Sequence, residues 1–293
     1  MPMPVDLVLV RHGQSEGNVA VHASKRGDDS HMENPDFRGR HSSWWRLTDL
    51  GVEQARLAGQ WIRENFPPVE EDDPADASSQ SYDVLQDQAG GEAPLFHRHY
   101  SSAYIRAMET SANLGLPRAR WYLDPNLRER ERGKEDLLSS RERELLVESA
   151  RERDNAPLYW KPLNGESIAD TATRVRDLCE TLHREVPDGR VIVVCHGEVM
   201  EAFRLVLERM TPHDYAEWTT STDPKQRINN GQVFHYSRRD PHTGEILPYL
   251  NWRRSISTSD LSLCDPEWKS VTRPVFDNDA LMKLVERTPR IIR

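Results

Sequence analysis

The chain's 293 residues are 37% hydrophobic, enough to bury a sizeable core in one large domain or in one domain with substantial additions. A formal net charge of -9 supplies no global positive field, which argues against a general nucleic-acid binder; a site that handles phosphate must gather its positive charge locally, on individual arginines. Cys179, Cys195 and Cys264 are unpatterned, no apolar run approaches membrane-spanning length, and no signal segment precedes the first strand, so the expectation is a soluble cytoplasmic protein with no membrane or nucleic-acid partner.

Residues 5–10 form an almost wholly apolar run rich in Val and Leu, the pattern of a strand buried on both faces. It ends in Arg11-His12-Gly13, where a central strand of an open α/β sheet opens into its binding crevice. A second run of the same form, residues 190–194, ends in Cys195-His196-Gly197. If the two strands are parallel neighbours, both histidines lie at one sheet edge.

Between these runs, residues 19–46 lack a sustained period and read as a long polar loop with at most short helical turns. Its Trp44-Trp45 pair either covers a ligand or anchors the loop to the core. Residues 48–62 read as a helix with Val52, Ala55, Ala58 and Ile62 as its core stripe. Residues 67–94 are acidic and rich in Pro, Ser and Gly, the composition of a solvated surface insertion. A short strand at 95–102 leads into a helix whose first turn holds Arg106, where helix dipole and backbone donors favour an anion. His97 and His99 share a strand face, without the further ligands a metal site needs.

Residues 134–153, densely charged with alternating sign, read as exposed helix laced with ion pairs. A long helix follows Ser167, with Ile168, Ala172, Val175, Leu178, Cys179, Leu182 and Val186 on its core face, and a short apolar helix follows the second His-Gly. Thr211 caps a further helix with Pro212 at its first position. Residues 232–236 and 245–250 resemble a hairpin at the sheet margin, whose edge leaves homo-oligomerisation open. The expected organisation is a catalytic domain over 1–254, with insertions at 19–46 and 67–94, and a C-terminal extension over 255–293 that ends in a helix near 279–287.

Two histidines, two arginines and a glutamate at one sheet edge suffice for phosphoryl chemistry. A neutral imidazole can attack phosphorus and carry the group covalently, arginines can neutralise its oxygens, and a protonated carboxyl group can donate to the leaving oxygen. The ordered set Arg11-His12-Gly13-Gln14-Ser15-Glu16-Gly17-Asn18, Leu47-Thr48-Asp49-Leu50-Gly51, Ser101-Ser102-Ala103-Tyr104-Ile105-Arg106-Ala107-Met108-Glu109-Thr110, Leu127-Arg128-Glu129-Arg130, Gly165-Glu166-Ser167 and Cys195-His196-Gly197 resembles the histidine phosphatase superfamily, also called the phosphoglycerate mutase-like family.

The resemblance spans roughly residues 5–236 and implies a three-layer α/β/α sandwich with a mostly parallel central sheet. It implies a phosphohistidine on His12, with Arg11 and Arg106 as phosphate clamps and His196 hydrogen-bonded to the transferred group. Asn18 would be an added phosphate-pocket donor and Glu129 the general acid and base, with the neighbouring Glu131 a rival on composition alone. Neither a metal nor a cofactor is implied. The expected activity is metal-independent hydrolysis of a small phosphomonoester. The alternatives are phosphoglycerate mutase-type transfer, from which the long polar segments and the tail depart, and a noncatalytic phosphate-binding module.

Overall fold

The computed structural model describes residues 2–70 and 92–292, so most of the acidic insertion expected at 67–94 lies outside the described residues. The two apolar runs are β1 (Asp6–Arg11) and β4 (Arg190–Cys195), parallel neighbours in a seven-stranded sheet. β2 (Arg98–Ser101) pairs parallel to β4 on its other side, and β3 (Trp121–Leu123) completes that edge. Beyond β1 the sheet turns antiparallel through β5 (Gln232–Ser237), β6 (Trp252–Ser257) and β7 (Asp265–Ser270), giving the order β3-β2-β4-β1-β5-β6-β7.

Side-chain alternation along the two central strands sorts the core into two layers. Leu7, Leu9, Val191 and Val193 face α8 (Ile168–Glu185) and α9 (Gly197–Glu208), packing with Leu178, Leu182, Met200 and Phe203. Val8, Val10, Ile192 and Val194 face the opposite way, onto Ala58 and Ile62 of α4 (Asp49–Asn65) and Ala107 of α5 (Ile105–Asn113). All eight strand residues are fully buried. Each such side chain stabilises the fold by about 1.5–3 kcal/mol relative to exposure, so the sandwich is held most firmly at the strands that carry the His-Gly ends.

Several segments differ from the sequence expectation. Residues 19–46 are largely helical: α1 (Glu16–Lys25), α2 (Ser30–Glu33), α3 (Pro35–Arg38) and a 3-10 turn at Ser42–Trp44. The capping box of Ser15 and Asn18 starts α1 just before this segment, and the helix runs on into it as far as Lys25. The tryptophan pair is divided, with Trp45 buried and stacked on Phe37 at 4.9 Å, and Trp44 62% exposed. Residues 134–153 do not form one helix. A 3-10 turn at Gly133–Glu135 is followed by α6 (Ser140–Glu144), which Ser139 restarts with its own capping box, and α7 (Val147–Asn155).

The hairpin partner of β5 is β6, not residues 245–250, where Pro248 has no N–H for a ladder and only Ile246 makes a bridge, to Arg239. The expected boundary at 254 falls inside β6, and the tail adds β7 to the sheet before α11 (Asn278–Glu286). Thr211 does cap α10 (Pro212–Thr219).

Three contacts tie α4 and its cap to the His-Gly turn. Thr48 N–H donates to the Gln14 carbonyl at 2.9 Å, Gln14 N–H donates to Gln54 Oε1 at 2.8 Å, and Gly51 sits so close that a Cβ there would stand 2.0 Å from the Gln14 carbonyl oxygen. Gly51→Ala adds helix propensity of at most about 1 kcal/mol, but the clash is with backbone that cannot swing away. We expect urea unfolding to show a net loss of about 1–3 kcal/mol; an unchanged or raised midpoint would contradict the close approach.

Candidate active site

β1 and β4 end side by side: Arg11 pairs with Cys195, and the His12 N–H donates to the Cys195 carbonyl at 3.0 Å. His12 and His196 therefore leave the same sheet edge, with ring centroids 5.1 Å apart and exposures of 1% and 0%. His12 Nδ1 lies 2.7 Å from the Gly13 carbonyl oxygen, which can only accept, so the ring proton is on Nδ1. Nε2 carries the lone pair and accepts from Arg106 Nε at 3.1 Å. Burial, helped by the charges of Arg106 and Arg11, holds the His12 pKa well below the ordinary imidazole value, so the ring is neutral at pH 7.

Arg106 occupies the first turn of α5, as its sequence position indicates, and its Nη1 donates to the Ser42 carbonyl at 2.6 Å. Arg11 donates from Nη1 to the Ile228 carbonyl at 2.6 Å, while its buried Nε has no hydrogen-bond partner among the described residues. Both guanidiniums have pKa values pushed down by burial, the mark of cations held in a poorly solvated place. Asn18 reaches the same cavity from α1, but its amide oxygen already accepts from Ser15 N–H at 3.0 Å and Asn230 Nδ2 at 3.1 Å. The group it has to offer a ligand is its Nδ2 amide.

Glu129 lies beside the histidines with its side chain 22% exposed, one oxygen accepting from Arg130 N–H at 3.0 Å and the other 3.8 Å from His196 Nδ1. Its loop is strapped to the start of α8 by Glu166: Glu166 N–H donates to the Glu131 carbonyl, Glu131 N–H donates to the Glu166 carboxylate, and that carboxylate also pairs with Arg128 and Arg174. Glu131, the compositional rival, accepts from Gly133 N–H and lies 3.9 Å from His41; it is not among the cavity-lining residues.

Burial, and next the charge of Glu198, raise the Glu129 pKa, with Arg106 opposing. Glu198 moves the other way: burial would raise its pKa, but Arg132 and Arg130 outweigh burial and hold it ionised. Glu201, one helical turn further along α9, is pushed up to about 7 by burial and the charge of Glu198, and accepts from the Tyr215 hydroxyl at 2.9 Å.

Arg11, His12, Asn18, Arg106, Glu129 and Glu201 are among the residues lining a cavity of about 300 Å3, whereas His196 is fully buried and is not among them. A larger cavity of about 620 Å3 lies at the opposite, Asp6 and Arg190 end of the two strands, where His235 is committed to Asp6 at 2.8 Å. Donor atoms of His12, Glu129 and His196 fall within 4.8 Å of one another, close enough for a metal ion, but the guanidinium already on His12 Nε2 opposes a second cation there.

Sequence reading assigned no role to Arg130, Arg132, Glu166, Glu198 or Glu201. The signal was available at Glu198 and Glu201, two carboxylates three residues apart in the first half of a largely apolar helix that starts at the second His-Gly. The helical expectation for residues 134–153 hid Asp136 and Arg143, both of which line the cavity.

Residues 90–225 match the sequence profile of the histidine phosphatase superfamily (branch 1). The chain is 30% identical over 221 residues to a 2,3-bisphosphoglycerate-dependent phosphoglycerate mutase of Azorhizobium caulinodans, covering 70% of this chain and 82% of the relative. A mutase of the same description from Methylorubrum populi is 29% identical over 233 residues, covering 74% and 85%. Among solved structures, a mycobacterial glucosyl-3-phosphoglycerate phosphatase superposes with a TM-score of 0.55 at 19% identity, over 92% of this chain and 97% of that one, a likeness of fold.

A histidine kept neutral by burial links stability to pH. The unfolded chain protonates such a ring near pH 6.5 and the folded chain only well below it, so this contribution is complete above about 6.5 and is lost as pH falls towards the folded value. In urea titrations between about pH 7 and 5, His12→Gln should lose stability less steeply than the parent, by up to about 1.4 kcal/mol per pH unit. Equal slopes would show that His12 is not held neutral.

Proposed function

Because the chain belongs to the histidine phosphatase superfamily, we propose that it hydrolyses small phosphomonoesters without a metal, through a covalent phosphohistidine on His12. The observation that carries this reading is the unprotonated His12 Nε2, facing the Arg106 guanidinium in a cavity that also holds Arg11 and a carboxyl group with a raised pKa. A phosphoryl group placed there meets a nucleophile and two cations at once.

In the first half-reaction Nε2 forms a bond to phosphorus as the ester P–O bond breaks, and Glu129 gives its proton to the leaving oxygen. Arg11 and Arg106 bind the phosphoryl oxygens, and His196 donates to one of them. In the second, the Glu129 carboxylate takes a proton from water as the water oxygen bonds to phosphorus and the P–N bond breaks. Phosphate leaves, and His12 is again neutral with its proton on Nδ1. The raised pKa of Glu129 favours the protonated form that the first step needs.

A mutase-type reading rests on the relatives, which are described as 2,3-bisphosphoglycerate-dependent phosphoglycerate mutases; on that reading the phosphoryl group would pass from His12 to a bound small molecule instead of to water. Phosphate release measured with a panel of phosphomonoesters, and isomer interconversion measured with 3-phosphoglycerate plus 2,3-bisphosphoglycerate, separate the two. The hydrolase reading expects His12-dependent release without interconversion; rapid interconversion with little release would replace it.

The role of Glu129 predicts a dependence on the leaving group. Glu129→Gln should lower turnover of alkyl phosphates about 100- to 10,000-fold, but turnover of aryl phosphates with acidic leaving groups far less. Equal losses on both classes, measured as initial rates, would remove Glu129 as the proton donor.

A further inference from the structure

His196 is fully buried, and its two nitrogens have different surroundings. Nε2 lies 2.8 Å from Ser102 Oγ, while Nδ1 has no hydrogen-bond partner among the described residues and stands 3.8 Å from Glu129. Which nitrogen holds the proton decides whether His196 offers a bound phosphoryl group a donor or a lone pair.

We propose that Ser102 is a positioning residue that fixes the tautomer of His196, its hydroxyl donating to Nε2 so that the proton stays on Nδ1. Ser102 Oγ already accepts from Tyr104 N–H at 3.3 Å, and its own proton needs an acceptor. The nitrogen at 2.8 Å is that acceptor.

The serine is itself held in place. It is fully buried, and its N–H donates to the Val194 carbonyl at 2.9 Å, two residues before His196 on the neighbouring strand. The hydroxyl and the ring are thus fixed to adjacent strand ends, and a hydrogen bond across them sets the ring orientation as well as its tautomer. The ring also meets that of Tyr104 in a T-shaped contact, with centroids 5.2 Å apart and planes at 67°, which further restrains its orientation.

Burial, with Arg106, His12 and Arg11, keeps the imidazole neutral, so it has one proton to place. On Nε2 that proton would be spent on the serine, and a lone pair would face the anion. Held on Nδ1, it becomes a donor on the Glu129 side of the ring. The pair of histidines is then set in complementary ways: a carbonyl at Gly13 forces the lone pair of His12 onto Nε2, and a hydroxyl at Ser102 forces the proton of His196 onto Nδ1.

The inference rests on the phosphoryl-binding role proposed for His196, but its first test is independent of turnover. Nitrogen-15 NMR of the ligand-free parent should show His196 with Nδ1 protonated and Nε2 unprotonated; the reverse assignment overturns the proposal even if hydrolysis is confirmed. In Ser102→Ala the Nε2-protonated form should appear, with orthovanadate binding and kcat/KM each weakened about tenfold, the scale of one lost hydrogen bond. Unchanged tautomer and unchanged vanadate affinity in that variant would also overturn it. Should the variant fail to fold, the spectrum of the parent decides alone.

Discussion

The hydrogen bond from His12 Nδ1 to the Gly13 carbonyl is the constraint on which the rest of the site depends. It forces the lone pair onto Nε2, and a ring with the other tautomer would present a proton where the proposed reaction needs a nucleophile. The bond is local, between adjacent residues, so its geometry is set by how the chain turns after β1. That turn is fixed by the close approach of Gly13 and Gly51, by Gly13 N–H donating to Thr110 Oγ1 at 3.1 Å, and by Asn230 and Gly231 donating to the His12 carbonyl. Three separate segments thus converge on one peptide.

Charge placement supplies the second condition. Arg11 and Arg106 each give one Nη1 donor to a main-chain carbonyl and none to a carboxylate among the described residues, an arrangement that leaves their positive charge to act on the cavity. The nearby anions are graded. Glu198 pairs with Arg130 and Arg132 and stays ionised, and its charge then raises Glu129 and Glu201 beside it. Arg130 and Arg132, to which the sequence reading gave no role, thus bear on the Glu129 carboxyl group through the carboxylate between them.

The fold was legible where a single physical rule dominated. Continuous Val and Leu runs ending in His-Gly identified β1 and β4 because a strand covered on both faces admits no polar alternation, and Ser167 and Thr211 marked helix starts because their side chains satisfy free N–H groups. Residues 19–46 and 134–153 were misjudged because several short capped helices have no long period to detect. The hairpin was misplaced because residues 245–250 are apolar enough for a strand, yet Pro248 cannot join a ladder. At the site, His12, Arg11, Arg106, His196 and Glu129 are brought together as their motifs suggested. Asn18 is present but largely engaged in capping, and the carboxylate and arginine partners escaped notice because their importance lies in which neighbour each one meets across the fold.

The central claim is that phosphorus is attacked by one particular nitrogen of His12, selected by the Gly13 carbonyl. Trapping the phosphorylated protein with nitrogen-15 labelled histidine and correlating phosphorus with nitrogen by NMR identifies that atom. The account predicts a single phosphorylated residue, His12, bonded through Nε2. Phosphorus on Nδ1 of that ring, or on any other residue, would contradict it.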